Sequence, residues 1–162
     1  MAALLDVNIL VALFDPDHIH HEIAHDWFAD HREAGWATCS ITDNGLVRVL
    51  AQPSYGAGLR AVDVVDRLRR FTASGHHVFW DDRQSIANAS AFRTDLIANP
   101  RQVTDVHLLG LAVQHGGCLA TLDHSIPWRA VVGASADRLQ VIEPAGDGSA
   151  VVDAGPRGRP DR

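Results

Sequence analysis

Two aspartates stand directly after short apolar segments of this sequence. Asp6 follows Leu4-Leu5, and Asp123 follows Ala120-Thr121-Leu122. We interpret both segments as buried strands of a parallel sheet, because strands covered on both faces read as continuous apolar runs. Ligands of open α/β sheets bind at the edge where the carboxyl ends of the parallel strands meet. The two carboxylates are therefore expected to lie near each other at that edge.

Two further aspartates are predicted to enter helices from the same edge. Asp43 follows the strand-like segment 36–41, and Asp105 follows Thr104, which we interpret as a helix N-cap. Carboxylates gathered within a few ångströms repel one another unless a cation shares their site, and Mg²⁺ or Mn²⁺ is the usual cation. Such a cation can activate water and stabilise a phosphodiester oxyanion. The four acids therefore suggest metal-dependent phosphodiester hydrolysis.

Strand-like and helical segments alternate along the chain, which predicts an α/β fold with helices on both faces of a parallel sheet. The predicted strands are 2–5, 36–41, 76–80 and 118–122, and the predicted helices are 8–14, 15–33, 42–50, 60–72, 85–97 and 105–115. We expect one domain over residues 1–144. The segment 145–162 is rich in Gly, Pro, Arg and Asp and is predicted to be a disordered tail.

The composition narrows the possible functions. The net charge is −6, all 14 basic residues are arginine, and lysine is absent, which excludes P-loop NTPases and Schiff-base enzymes. Bulk attraction to nucleic acid is not expected at this net charge, although a local metal site that binds nucleic acid remains compatible with it.

Cys39 and Cys118 lie in apolar runs and are predicted to be reduced core residues. With no signal-peptide pattern and no run near ~18 apolar residues, we expect a cytoplasmic protein without membrane association.

Four segments around these acids resemble, in order and separation, the acidic motifs of PIN-domain nucleases, and most closely those of VapC-type toxins. The segments are 4–8, 41–50, 102–112 and 119–123. The resemblance covers about residues 1–143 and implies a PIN-like three-layer α/β/α sandwich. It implies a metal-dependent endoribonuclease, the toxin of a toxin–antitoxin pair, with RNA as substrate, a cognate antitoxin that blocks the site, and a homodimeric state.

The resemblance also assigns roles to individual residues. The four catalytic acids would be Asp6, Asp43, Asp105 and Asp123. Asp6 and Asp105 would bind the cation, Mg²⁺ or Mn²⁺, directly. PIN nucleases often carry glutamate in place of Asp43, and the shorter side chain draws the carboxylate back by more than about 1 Å, which favours contact through water.

Neighbouring residues are candidates for supporting roles. Asn8 and Thr104 would orient the carboxylates, and Arg48 would meet a substrate phosphate or neutralise the acids. Gly45, inside a predicted helix, suggests close approach of another backbone or of RNA.

Two other functions remain open from the sequence. Residues 21–25 match the HExxH pattern of zinc metalloproteases, and His31 has the spacing of a third ligand. However, Phe28 replaces the glycine that lets the chain turn in that motif, and Met1 is the only methionine. We therefore expect His21 and His25 on the polar flank of an amphipathic helix. The other alternative is a non-catalytic protein-binding module.

Overall fold

The computed structural model describes residues 1–143, so the predicted tail at 145–162 lies outside the described residues. Short strands of the described part form one sheet in which every neighbouring pair is parallel. They are β1 (Ala3–Leu5), β2 (Trp36–Thr38), β3 (His77–Phe79), β4 (Cys118–Thr121) and β5 (Leu139–Val141). The strand order is β3-β2-β1-β4-β5, which places β1 at the centre of the sheet.

Helices cover both faces of this sheet. They are α1 (Val7–Phe14), α2 (His21–His31), α3 (Ser40–Leu50), α4 (Ala61–Thr72) and α5 (Gln102–Gln114). Leu5 packs in an apolar cluster with α1 to α4, and its neighbour Leu4 packs in a second cluster with α5. Because successive residues of a strand point to opposite faces, the two clusters lie on either side of the sheet. The expected three-layer α/β/α arrangement is therefore confirmed.

The start of α1 packs closely against α3. A Cβ atom added to Gly45 would lie 2.5 Å from Cγ2 of Val7, which is closer than two non-bonded carbon atoms can approach. Glycine at position 45 therefore allows α3 to contact the residue that directly follows Asp6. The close approach expected at Gly45 is found here, although the approaching group is a side chain rather than a backbone or RNA.

Two predicted helices differ from the structure. The segment 85–97 forms turns and a short 3₁₀ helix at Thr94–Leu96. The side chains of Ser85 and Asn88 accept hydrogen bonds from backbone amides two residues ahead, which stabilises turns instead of a helix. Helix α2 begins at His21 rather than near residue 15, because the Asp15 carboxylate accepts bonds from the Asp17 amide and the Tyr55 hydroxyl.

The remaining segments are close to their predicted places. Strand β5 was not predicted, and it is only three residues long. Cys39 and Cys118 are buried free thiols, as expected. In the described part of the chain, no helix has the length and apolar character that crossing a membrane requires.

Candidate active site

Asp6 lies at the junction of β1 and α1, where its side chain caps the helix. Its Oδ1 accepts a bond from the Val7 amide at 2.6 Å, and its Oδ2 accepts bonds from Asn8 Nδ2 at 2.9 Å and Thr121 Oγ1 at 2.7 Å. The residue is only 4% exposed. Burial raises the pKa of Asp6 and the negative charge of Asp123 adds to this, whereas the three hydrogen bonds oppose it. Asp6 is thus a buried carboxylate held in one orientation.

Thr121, the last residue of β4, connects β1, α1 and the loop that follows β4. Besides donating to Asp6, its hydroxyl accepts bonds from Asn8 Nδ2 at 2.9 Å and from the Asp123 amide at 3.1 Å. The amide of Leu122 donates to Asn8 Oδ1 at 3.1 Å. Thr121 was not among the predicted site residues, although a hydroxyl two positions before Asp123, in an otherwise apolar strand, was a usable signal.

Asp105 lies in the first turn of α5 and is half-buried. Its carboxylate takes part in none of the side-chain hydrogen bonds found among residues 1–143. Burial raises the pKa of Asp105 to about 6, and the negative charges of Asp6 and Asp123 contribute to the increase. The three acids therefore form one electrostatically coupled group, in which each added negative charge opposes the others.

Asp43 is separate from this group in its interactions. It lies in the first turn of α3, where burial raises its pKa and the Thr38 hydroxyl opposes that increase. Its Oδ1 is buried and has no hydrogen-bond partner among the described residues. The structure thus couples three of the four predicted acids and leaves Asp43 outside their interactions.

A cavity of about 400 Å³ lies against two of the coupled acids, Asp6 and Asp105. Its lining combines acidic, apolar and aromatic side chains. The lining residues are Asp6, Val7, Asn8, Val11, His18, Val49, Tyr55 and Asp105. A larger cavity of about 740 Å³ shares His18 and Tyr55 with it but none of the acids of the site. We take the smaller cavity as the candidate active site because the unusual carboxylates line it.

Comparison with known proteins agrees with this geometry. The family model described as PIN domain matches residues 3–131. The chain belongs to the PIN-domain family. Ribonuclease VapC44 of Mycobacterium tuberculosis (strain ATCC 25618 / H37Rv) is 44% identical over 142 residues, which cover 88% of this chain and 100% of the relative. Ribonuclease VapC39 of the same strain is 39% identical over 134 residues, which cover 82% of this chain and 96% of that relative.

The start of α5 in this PIN domain is fixed by Gln102 rather than by the predicted N-cap. Gln102 Oε1 accepts a bond from the Ala98 amide at 3.0 Å, and Nε2 donates to the Ser125 carbonyl at 2.7 Å. This side chain ties the helix that carries Asp105 to the loop after Asp123. Thr104 is exposed inside the first turn, because the helix begins three residues earlier than its N-cap role requires.

Arg48 lies on the exposed face of α3, near the end of the helix. Among residues 1–143, it forms no ion pair with any of the acids of the site, so the neutralising role considered for it has no support. Its contact with a substrate phosphate stays a prediction.

In this PIN domain, the histidines of the HExxH motif have a structural role. His21 Nδ1 lies 2.8 Å from the Ala12 carbonyl oxygen, and His25 Nε2 lies 3.0 Å from that of Leu13. Both rings thus bind the C-terminal end of α1, and His31 bonds to the Trp27 carbonyl of its own helix. In the part of the chain that the structure describes, no three His, Cys, Asp or Glu side chains are placed so that they could hold a metal ion.

Proposed function

We propose that this PIN domain is a metal-dependent endoribonuclease and the toxin of a toxin–antitoxin pair. The observation that carries the proposal is the coupled group of Asp6, Asp105 and Asp123, of which Asp6 and Asp105 line one cavity. Its carboxylates repel one another, and a divalent cation would relieve that repulsion. The relatives named ribonucleases support RNA as the substrate class.

Asp6 and Asp105 offer the carboxylate oxygens that Mg²⁺ and Mn²⁺ prefer. Water would complete the coordination, because no group of three such side chains is placed to hold a metal ion among the described residues. Asp6 and Asp105 would hold the cation directly, with Asp123 beside them. Asp6 is already oriented by three hydrogen bonds, whereas Asp105 has no hydrogen bond among the described residues and can turn towards a cation. A bound cation would supply activation of water and stabilisation of the phosphodiester oxyanion.

The remaining predicted residues take supporting roles in the proposal. Asn8 orients Asp6 through the bond described above. Asp43, with its unpartnered buried oxygen, would act through water rather than as a direct ligand. Arg48 would contact a phosphate of the RNA from the exposed face of α3, and Thr104 would contact substrate or water beside Asp105.

Two protein partners belong to the proposal: a cognate antitoxin that blocks the site, and a second copy of the chain in a homodimer. Both need exposed apolar surface. Val78 and Phe79 on the edge strand β3 are 52% and 50% exposed, and Val62 on α4 is 53% exposed. Light scattering on the free protein tests the dimer, since a particle of 17.5 kDa at all micromolar concentrations would contradict it. We expect the pair to act in the cytoplasm.

The proposed activity is tested by RNA cleavage with the purified chain, in EDTA and after addition of Mg²⁺ or Mn²⁺. We expect cleavage only with metal. Asp6→Asn should lower it by at least about 100-fold, the scale lost when a group that stabilises transition-state charge is removed. Asp30→Asn, an exposed change on α2, is the matched control and should cut like the parent. A folded parent that cuts no RNA with either metal would contradict the proposal and favour a non-catalytic binding module.

A further inference from the structure

Several side chains that line the cavity beside the acids have no role in the proposed metal-dependent cleavage. Val11 and Val49 give it apolar walls, and His18 and Tyr55 give it two flat rings. None of its lining residues is an arginine, and lysine is absent from the chain. A nucleic acid that enters this cavity would therefore be held by contacts to its bases more than by ion pairs to its phosphates.

The Tyr55 ring is held in place by the end of α1. Its hydroxyl donates a hydrogen bond to Asp15 Oδ2 at 2.5 Å, and Asp15 is the residue that ends this helix. Burial and this bond raise the pKa of Tyr55 to about 12, so the phenol stays protonated at neutral pH. Because the hydroxyl is already occupied, what Tyr55 offers to a ligand is its aromatic ring.

The surroundings of His18 favour a neutral imidazole ring with one N–H donor. The His20 amide donates to His18 Nδ1 at 3.2 Å, so in the neutral imidazole Nε2 carries the hydrogen. Burial is the largest of the influences that lower the pKa of His18, which favours the neutral form at pH 7. A flat neutral ring with an N–H donor is well suited to contact a nucleobase.

We propose that His18 and Tyr55 form a base-binding subsite for the RNA nucleotide next to the scissile phosphodiester. The inference rests on the proposed ribonuclease function and adds the part of the substrate that is recognised. The two residues line the cavity of Asp6 and Asp105 and also the larger cavity beside it. A strand whose phosphate lies at the acids thus reaches these rings with the adjoining nucleotide.

The test measures binding of labelled single-stranded oligouridine, oligoadenosine and an abasic oligomer of the same length, by fluorescence anisotropy in EDTA so that no cleavage occurs. We expect the parent to bind the base-bearing oligomers about tenfold more tightly than the abasic one, a ratio in the range of base–aromatic stacking. His18→Ala and Tyr55→Ala should bring this ratio close to one. Their binding of the abasic oligomer should stay within about twofold of the parent.

Two matched variants separate the ring from other effects. Tyr55→Phe keeps the ring but loses the bond to Asp15 that holds it, so the ratio should stay well above that of Tyr55→Ala. His31→Ala removes an exposed imidazole that lies outside the cavity and should also retain it. Thermal unfolding of each variant confirms that the folded protein is compared.

The outcomes distinguish this inference from the proposed function. A parent that cuts RNA but binds abasic and base-bearing oligomers equally would overturn the base-binding subsite alone. Full discrimination in both alanine variants would also overturn it and assign the cavity to another occupant, such as a protein segment. A folded parent that binds none of these oligomers and cuts no RNA with Mg²⁺ or Mn²⁺ would overturn the proposed function and the subsite together.

Discussion

The carboxyl edge of the sheet and helix α2 both carry residue patterns typical of metal sites, but their polar atoms are used differently. At the edge, the Asp105 carboxylate has no hydrogen bond among the described residues, and the pKa of this group is raised to about 6. On α2, the rings of His21 and His25 bond to backbone carbonyls of α1. A pattern of ligand types thus indicates chemistry only where the fold leaves its atoms available.

The histidine spacing has a structural cause. A helix ends with carbonyl groups that have no partner within the helix, and α1 ends at Phe14. Residues four positions apart lie on one face of a helix. The same spacing that suits a zinc ion in a protease therefore lets His21 and His25 reach the carbonyls of Ala12 and Leu13.

Removing the Thr121 hydroxyl should give the largest change in stability, because this hydroxyl bonds to the buried carboxylate of Asp6. The variant therefore tests how firmly the carboxyl edge holds Asp6. Thr121→Val removes a bond to a buried carboxylate and the acceptor for Asn8. We expect unfolding to become easier by about 3 kcal/mol. The loss also raises the pKa of Asp6, so the acid limb of the pH–activity profile should move to higher pH. Thr121→Ser keeps the hydroxyl and should leave the acid limb of the profile in place. Equal pH–activity profiles for the parent and Thr121→Val would show that the Thr121 hydroxyl does not influence the pKa of Asp6.

Crowding the contact between α1 and α3 should give the next largest effect. In Gly45→Ala the new methyl group meets Val7, and we expect a loss of about 2 kcal/mol in chemical denaturation. The double variant Gly45→Ala/Val7→Ala removes the opposing methyl groups and should be less affected than the two single changes added together. Simple additivity would show that this contact does not position the edge.

The raised pKa of Asp105 predicts a dependence of stability on pH in the metal-free protein. A folded-state pKa of about 6, above the ordinary 3.8, means that the folded protein binds the proton more tightly than the unfolded one. Stability should therefore fall as the pH rises from about 4 to about 6 and stay lower above that range. We expect Asp105→Asn to be more stable than the parent by about 1 kcal/mol at pH 7, less than the full shift implies because the group is partly exposed to solvent. The two proteins should differ little at pH 4, and a constant difference across the range would contradict the account.

The smallest effect is expected on α2. His21→Ala leaves the Ala12 carbonyl without its partner, at a cost of about 1 kcal/mol in thermal or chemical unfolding. RNA cleavage by the folded variant should equal that of the parent. Glu22→Ala, at an exposed position of the same motif, should change neither property. Loss of cleavage in either folded variant would restore a chemical role to the histidine motif.

The sequence predicts the acid edge well because strand and acid are adjacent in the chain. Asp6 and Asp123 follow buried strands, so their common edge follows from the parallel sheet. The sequence shows a hydroxyl two positions before Asp123, but it does not show that Thr121 bonds to Asp6, a partner 115 residues away. The separation of Asp43 from the other acids likewise depends on how α3 packs against the sheet.

The mistaken helix boundaries have a related cause. Asp15, Pro16 and Asp17 have the local pattern of a helix start, but the Asp15 carboxylate binds the distant Tyr55 hydroxyl as well as the Asp17 amide. The segment 85–97 is predicted to be a helix, but Ser85 and Asn88 stabilise turns. In both segments, side-chain hydrogen bonds therefore stabilise a local structure that differs from the predicted helix.

The most direct test of the contrast between the two regions is calorimetric titration of the full chain with Mn²⁺, followed by RNA cleavage on the same samples. Mn²⁺ is suited to the test because it prefers oxygen ligands to imidazole. We predict that Asp105→Asn removes most of the Mn²⁺ binding and lowers cleavage by at least about 100-fold, whereas His21→Ala binds Mn²⁺ and cleaves like the parent. A folded Asp105→Asn protein with parental binding and cleavage, or a His21→Ala protein that has lost both, would contradict the central claim that the carboxyl edge is the metal-dependent site.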